Sequence, residues 1–132
     1  MKATGMLLLT AVVVGAAVLL ASGGGAYAQR ASSFQNSCTD THVRGSLLEA
    51  RCRRIDGSWS RTAIEIPGVE NIDGRLQFTG VAHSNYQLTC REIEAFGSTL
   101  SAVCRRIDGA WSRSSIQIPM IANINGELRY EP

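Results

Sequence analysis

Four cysteines carry the best-defined chemistry in this 132-residue chain. Cys38 and Cys52 stand 14 residues apart, and so do Cys90 and Cys104. Thiols can close disulfides or hold zinc. A structural zinc site wants a C-x2-C spacing or a close histidine pair. The chain has neither, because His42 and His83 are isolated and read as solvated side chains without partners. In a small exported domain four cysteines read as two disulfides, although spacing alone leaves three connectivities open. A second set is acidic and amide: Glu70-Asn71-Ile72-Asp73 and, later, Asn123-Ile124-Asn125. Such side chains can pair with hydroxyl groups, or hold turns, where Asx residues are favoured anyway. Glycoside cleavage would need two carboxyls facing each other ~5–9.5 Å apart. Glu70 and Asp73 fall on one hairpin and nothing opposes them, so no catalysis and no cofactor is expected. Trp59 and Trp111 could stack on a ligand, but large aromatics mostly serve packing.

The elements that position these residues are written twice. Arg51 to Arg61, RCRRIDGSWSR, returns as Val103 to Arg113, VCRRIDGAWSR. Laying 34–80 on 86–132 without a gap gives 22 identities in 47 positions. A tandem duplication explains this, and each copy is too small to bury a good core alone. The two copies are therefore expected to build one domain with pseudo-twofold symmetry. A pairing older than the duplication lies within each copy, which selects Cys38–Cys52 and Cys90–Cys104.

Before the repeats come Lys2, an apolar run from Met6 to Leu20, and small residues ending in Ala26-Tyr27-Ala28. Basic start, apolar middle and A-x-A end describe a secretory signal over 1–28, cut after Ala28. As a membrane anchor the run is short of the roughly 20 apolar residues a span needs. The expected product, 29–132, is a secreted or periplasmic single domain with no membrane attachment. Lys2 is the only lysine, and 13 basic residues face 11 acidic ones. That balance is too even for a general nucleic-acid binder. The Arg51–Arg54 and Arg105-Arg106 clusters read as a solvated strand face, since strand neighbours alternate sides.

One copy reads as a three-stranded meander plus a hairpin. Thr39 to Arg44 is a short strand closed by Gly45-Ser46. In Leu47 to Arg54, Leu48, Ala50 and Cys52 alternate with Glu49, Arg51 and Arg53, a period-two pattern. Asp56-Gly57 is a hairpin signal, and Ser58 to Ile66 a third strand. There Thr62, Ile64 and Ile66 share one face, and Trp59, Arg61, Ala63 and Glu65 the other. Trp59 and Trp111 are thus placed on the outer side unless a bulge returns them inward. Pro67-Gly68 stops the strand, and Asp73-Gly74 closes a second hairpin. The second copy turns at Asp108-Gly109 and Asn125-Gly126. The fold class is all-β, with single 3₁₀ turns near Phe34 and Tyr86.

The ordered set Phe34-Gln35-x-Ser37-Cys38, Leu48-x-Ala50-x-Cys52, D-G-x-W and Glu70-Asn71-Ile72-Asp73-Gly74-x-Leu76 resembles the cyanovirin-N family. The second copy supplies Leu100-x-Ala102-x-Cys104 and Ala122-Asn123-Ile124-Asn125-Gly126-x-Leu128. The resemblance covers nearly all of 34–131, twice. It implies an elongated protein of two lobes, in which the hairpin of each repeat (34–80 and 86–132) packs on the sheet of the other. It also implies a metal-free lectin for oligosaccharides or glycoproteins of the high-mannose type, with one shallow site per lobe. The segment between repeats, 81–85, corresponds to a hinge through which family members exchange halves. A monomer or a domain-swapped dimer is implied, and the long proline-free segment favours the monomer.

Carried over residue by residue, the second lobe offers Glu70, Asn71 and Asp73 on one side of the pocket. Ser84, Asn85 and Thr89 stand on another, and Arg105 takes the place of a lysine. Leu88, Arg106, Ile107 and Gly109 depart from a glutamate, a threonine, an arginine and a glutamine. The first lobe offers Asn36, Ser37, Asn123 and Asn125. There Arg53 and Ile55 replace a glutamate and a threonine, so the second lobe is the favoured site. Asn71→Ala and Asp73→Ala are expected to abolish most mannose affinity while sparing the fold. The alternative function is an exported β scaffold or interaction module that has lost sugar binding.

Overall fold

A computed structural model describes residues 30–132. The export signal read from residues 1–28 lies outside the described residues. Strands β1 (Cys38–Arg44), β2 (Leu47–Arg53) and β3 (Trp59–Glu65) form one antiparallel sheet, and β4 (Val69–Ile72) pairs with β5 (Arg75–Phe78). The second copy repeats this with β6 (Cys90–Phe96), β7 (Thr99–Arg105), β8 (Trp111–Gln117) and the hairpin β9 (Ile121–Ile124) and β10 (Glu127–Tyr130). Single 3₁₀ turns stand at Phe34–Asn36 and Tyr86–Leu88. The all-β reading and its strand order hold. Among the described residues no helix is long and apolar enough to cross a membrane.

Turn chemistry explains the hairpins. Asp73-Gly74 and Asn125-Gly126 take positive φ at both positions, 52° and 88°, then 51° and 88°. That geometry matches the twist of the flanking strands, and Asx-Gly tolerates it best. The Asp56-Gly57 turn is a three-residue loop. The Gly57 N–H donates to the Arg54 carbonyl at 2.9 Å, and Gly57 swings to φ 90°. A feature the alternation pattern does not contain is a bulge in β1 and in β6. The registers shift between Thr39 and His42 and between Arg91 and Glu94, with Asp40 and Glu92 both at φ 53°.

The inner faces are those the period-two pattern marks. Leu48, Ala50 and Cys52 are buried, as are Leu100, Ala102 and Cys104. Each copy adds an aromatic plug, Phe34 or Tyr86, and the Tyr86 hydroxyl donates across to the Gly45 carbonyl at 2.6 Å. Burial raises the Tyr86 pKa far above its ordinary value. Cys38–Cys52 and Cys90–Cys104 are disulfides, each joining directly opposed residues of adjacent strands. All four thiols are thereby taken, and none is left to hold zinc.

Each hairpin sits on the other copy's sheet. Neither β5 nor β10 has a partner on its outer edge, so its outward N–H groups need acceptors. Inward-facing hydroxyls supply them: the Leu76 N–H donates to Ser114 Oγ at 2.9 Å, and the Leu128 N–H to Thr62 Oγ1 at 3.0 Å. In return Ser112 Oγ donates to the Gly74 carbonyl and Ser60 Oγ to the Gly126 carbonyl. Thr62 therefore shares the inner face with Ile64 because it anchors a hairpin, as well as by parity.

The outer faces carry the tryptophans. Trp59 and Trp111 are 41% and 42% exposed, on the side parity assigned them. Arginine lies over each ring, Arg51 at 5.8 Å and Arg91 at 4.0 Å from the centroid. The histidine reading needs correction. His42 has partners: its Nε2 lies 2.7 Å from Glu49 Oε1, and Arg44 donates to Glu49 Oε2 at 2.6 Å. Cross-strand pairing of β1 and β2 sets His42 opposite Glu49, which the bulge makes hard to read from spacing. His83, in the linker, reaches Glu65 at 3.2 Å but stays exposed.

Candidate binding sites of the two lobes

In the second lobe the β4–β5 turn meets the ends of β7 and the 3₁₀ turn. Asn71 is the joint. Its Nδ2 donates to Thr89 Oγ1 and to the Arg105 carbonyl, both at 2.9 Å, and its Oδ1 accepts the Gly74 N–H at 2.7 Å. Every strong hydrogen-bonding role of that amide except one acceptor lone pair is filled from within the protein. Asp73 Oδ1 accepts the Ile107 N–H at 2.9 Å, which ties the hairpin turn to the β7–β8 turn. The Arg106 stem lies over Gly74: a Cβ there would fall 2.6 Å from Arg106 Cγ and from Ser112 Oγ. Only glycine fits under it.

Glu70 stands beside this joint, half-buried. Thr79 Oγ1 donates to its Oε2 at 2.5 Å and Asn85 Nδ2 to its Oε1 at 3.1 Å. These two donors hold the Glu70 carboxyl below its ordinary value, against a smaller opposing effect of burial. The group is thus ionised and acceptor-only at neutral pH, oriented by two neutral donors and with lone pairs to spare. Thr79 escaped the sequence reading. The signal was present, because Glu70 pairs with Gln77 and Thr79 is the diagonal neighbour on the same face.

Of the residues assigned to the second lobe, Glu70, Asn71, Asp73, Asn85 and Thr89 come together, with Arg105 alongside through its backbone carbonyl. Ser84 does not share their exposure. It is 5% exposed; its hydroxyl donates to the Ile66 carbonyl at 2.5 Å and accepts the Val69 N–H at 2.8 Å. Ser32 repeats this arrangement on Ile118 and Ile121 in the other lobe, so both serines clamp the start of a hairpin.

The first lobe has the same joint and lacks the carboxylate. Asn123 donates to Ser37 Oγ at 2.8 Å and to the Arg53 carbonyl at 2.9 Å, and accepts the Gly126 N–H at 2.7 Å. Asn125 Oδ1 accepts the Ile55 N–H at 2.9 Å. Asn36 is exposed beside Ser37. In register with Glu70, Asn85 and Thr79, however, this lobe has Ala122, Ser33 and Glu131. Ala122 is buried, so the Glu70 position itself carries no carboxylate here. The carboxylate Glu131 stands instead at the Thr79 position, 4.0 Å from Arg30.

Two symmetric lobes with exchanged hairpins and one shallow polar cluster at each joint are the architecture of a lectin family. The sequence model of the CVNH domain matches residues 34–129, and the chain belongs to that family, the cyanovirin-N homologues. Among solved structures it is similar to microvirin in complex with mannobiose: 28% identity, 75% of this chain and 98% of that one covered, TM-score 0.59. It is also similar to the CVNH protein of T. borchii, at 25% identity, with 75% of this chain and 99% of that one covered and a TM-score of 0.64. A variant of MoCVNH3 in complex with (N-GlcNAc)4 shares the fold at 22% identity, 78% and 99% coverage, TM-score 0.65.

Proposed function

We propose that the protein is an exported lectin that binds mannose-rich glycans through its second lobe. The observation that carries this reading is the oriented, ionised Glu70 with Thr79 and Asn85 beside the Asn71–Asp73 joint. Vicinal sugar hydroxyls are each donor and acceptor, and this cluster offers a charged acceptor flanked by a hydroxyl and an amide. Family membership and the likeness to the mannobiose-bound relative support the sugar class. The first lobe, with Ala122 in place of Glu70, fits the scaffold role better.

Glu70→Ala is the direct test, because the equivalent position already holds Ala122 in the same fold. A hydrogen bond to a charged group is worth ~1.5–3 kcal/mol, so titration with a short α1,2-mannoside should show about a 10-fold to 100-fold loss. The thermal midpoint should fall somewhat too, because Glu70 also accepts from Thr79 and Asn85, so the titration is run where the amide spectrum shows the variant folded. Unchanged affinity in the variant would remove the site from the second lobe. A glycan array at two salt concentrations tests the class: neutral-sugar binding should be nearly salt-blind, whereas nucleic-acid binding would weaken steeply.

Binding should also follow the Glu70 charge. The folded carboxyl is lowered from its ordinary 4.5 by its two donors, so it stays ionised through that value. Affinity should hold from neutral pH down past it and fall only as the lowered pKa is crossed. A loss already complete near pH 6 would point to another group. In dilute solution the protein should be a monomer, with the 81–85 segment long enough to close each chain on itself; a dimer persisting on dilution in light scattering would contradict this.

A further inference from the structure

Large apolar side chains stand uncovered on residues bonded to or flanking the Asn71–Asp73 joint. Ile107 is 90% exposed, Leu88 79% and Ile72 42%. Hydrogen bonds fix their places. The Ile107 N–H is the one held by Asp73, and Ile72 lies between Asp73 and Asn71. Leu88 precedes Thr89, whose hydroxyl accepts from Asn71, and its own N–H is held by the Asn85 carbonyl at 3.0 Å. Ile107 is presented by a closed turn. The Gly109 N–H donates to the Arg106 carbonyl at 2.9 Å, and the Arg106 N–H to the Ala110 carbonyl at 2.7 Å.

Such side chains neither donate nor accept. Beside them an all-hydroxyl sugar ring loses water contacts and gains no hydrogen bond. A ligand methyl group in the same place gains by leaving water, about fourfold in affinity for each one buried. The first lobe separates rim from turn. It keeps Ile55 and Ile124 at the positions of Ile107 and Ile72, but has Asn36 where Leu88 stands and Ala122 where Glu70 stands. A carboxylate at the Glu70 position and all three exposed apolar residues occur together only in the second lobe, among the described residues.

We infer that the second-lobe site selects a mannose-configured residue bearing a methyl-terminated substituent over plain mannose, with Leu88 and Ile107 as the selecting side chains. The inference rests on the lectin reading above and specifies its ligand. Two sources supply the methyl: a 6-deoxy carbon or an N-acetyl group.

The test titrates the exported chain with D-mannose, 6-deoxy-D-mannose and N-acetyl-D-mannosamine, following backbone NMR shifts at Leu88, Ile107 and Glu70. At least one methyl-bearing sugar should bind about fourfold or more tighter than mannose, and whichever does identifies the source. In Leu88→Glu/Ile107→Arg the order should reverse in favour of mannose; both positions are exposed, so the fold should survive, which the amide spectrum checks. Equal or tighter binding of mannose by the unaltered chain overturns the inference and leaves the lectin reading standing. A preference that persists in the double variant overturns the role of these two side chains. No shift with any sugar, alone or as an α1,2-mannobiose control, overturns both readings.

Discussion

Removing both disulfides should take away a large share of the chain's stability at 25 °C. Each bridge spans a sequence separation of 14. In the chain-entropy model a closed loop of about 15 residues stabilises by ~3 kcal/mol, by denying the unfolded chain its freedom. Two such bridges in non-overlapping loops contribute ~6 kcal/mol, against a typical net stability of ~5–15 kcal/mol. Cys52 and Cys104 are fully buried in the two inner faces. Alanine there would also lose packing against the core. A single Cys38→Ala/Cys52→Ala variant should lower the thermal midpoint by roughly 12–24 °C, taking ~4–8 °C per kcal/mol for a domain near this size. The Cys90→Ala/Cys104→Ala variant should do the same, since the two bridges are related by the repeat. Calorimetry with and without reductant measures it. A midpoint indifferent to reductant would mean that neither bridge forms or that the chain-entropy account fails here.

Asn71→Ala should cost about as much as one disulfide. The amide makes three hydrogen bonds, and each is worth ~0.5–1.5 kcal/mol net, so about 2–4 kcal/mol is at stake. Gly74 is buried, and its N–H would lose its acceptor. Asn123→Ala should lose a similar amount, because its three bonds match those of Asn71 within 0.1 Å. The joint thus has a structural duty in both lobes. The sequence-derived expectation that Asn71→Ala would spare the fold is therefore replaced by its opposite. Denaturant midpoints of the two single variants check this: a stable Asn71→Ala protein would show that the turn holds without its amide. Loss of sugar affinity in an Asn71 variant would mix a disturbed hairpin turn with a missing contact, whereas Glu70→Ala leaves the bonds of the turn itself in place.

Much of the fold was legible because its causes are local. Alternation of Leu48, Ala50 and Cys52 with charged neighbours reports one buried face whatever lies opposite. Asp73-Gly74 and Asn125-Gly126 name their turns through backbone sterics. The bulges at Asp40 and Glu92 were not legible, because an extra residue in one strand leaves the composition of both faces plausible. The His42–Glu49 contact was lost with them. Ser84 was placed in a sugar pocket by position, while its burial depends on the 3₁₀ turn folding beneath β4.

While parity left the faces of Trp59 and Trp111 open to a bulge, the sequence by itself determined the all-β class, the twofold plan and the disulfide partners. These follow from period, duplication and turn chemistry, which act over a few residues or over one fixed offset of 52. Only the tertiary structure decided what the polar residues do. Asn71 spends its amide on Arg105, 34 residues away, and Asn123 on Arg53, 70 away. An amide in a turn looks the same in sequence whether it faces solvent or a neighbouring carbonyl. Which it meets is settled when each hairpin docks on the other copy's sheet, and that docking consumes Asn71 and Asn123 and leaves Glu70 with lone pairs to offer.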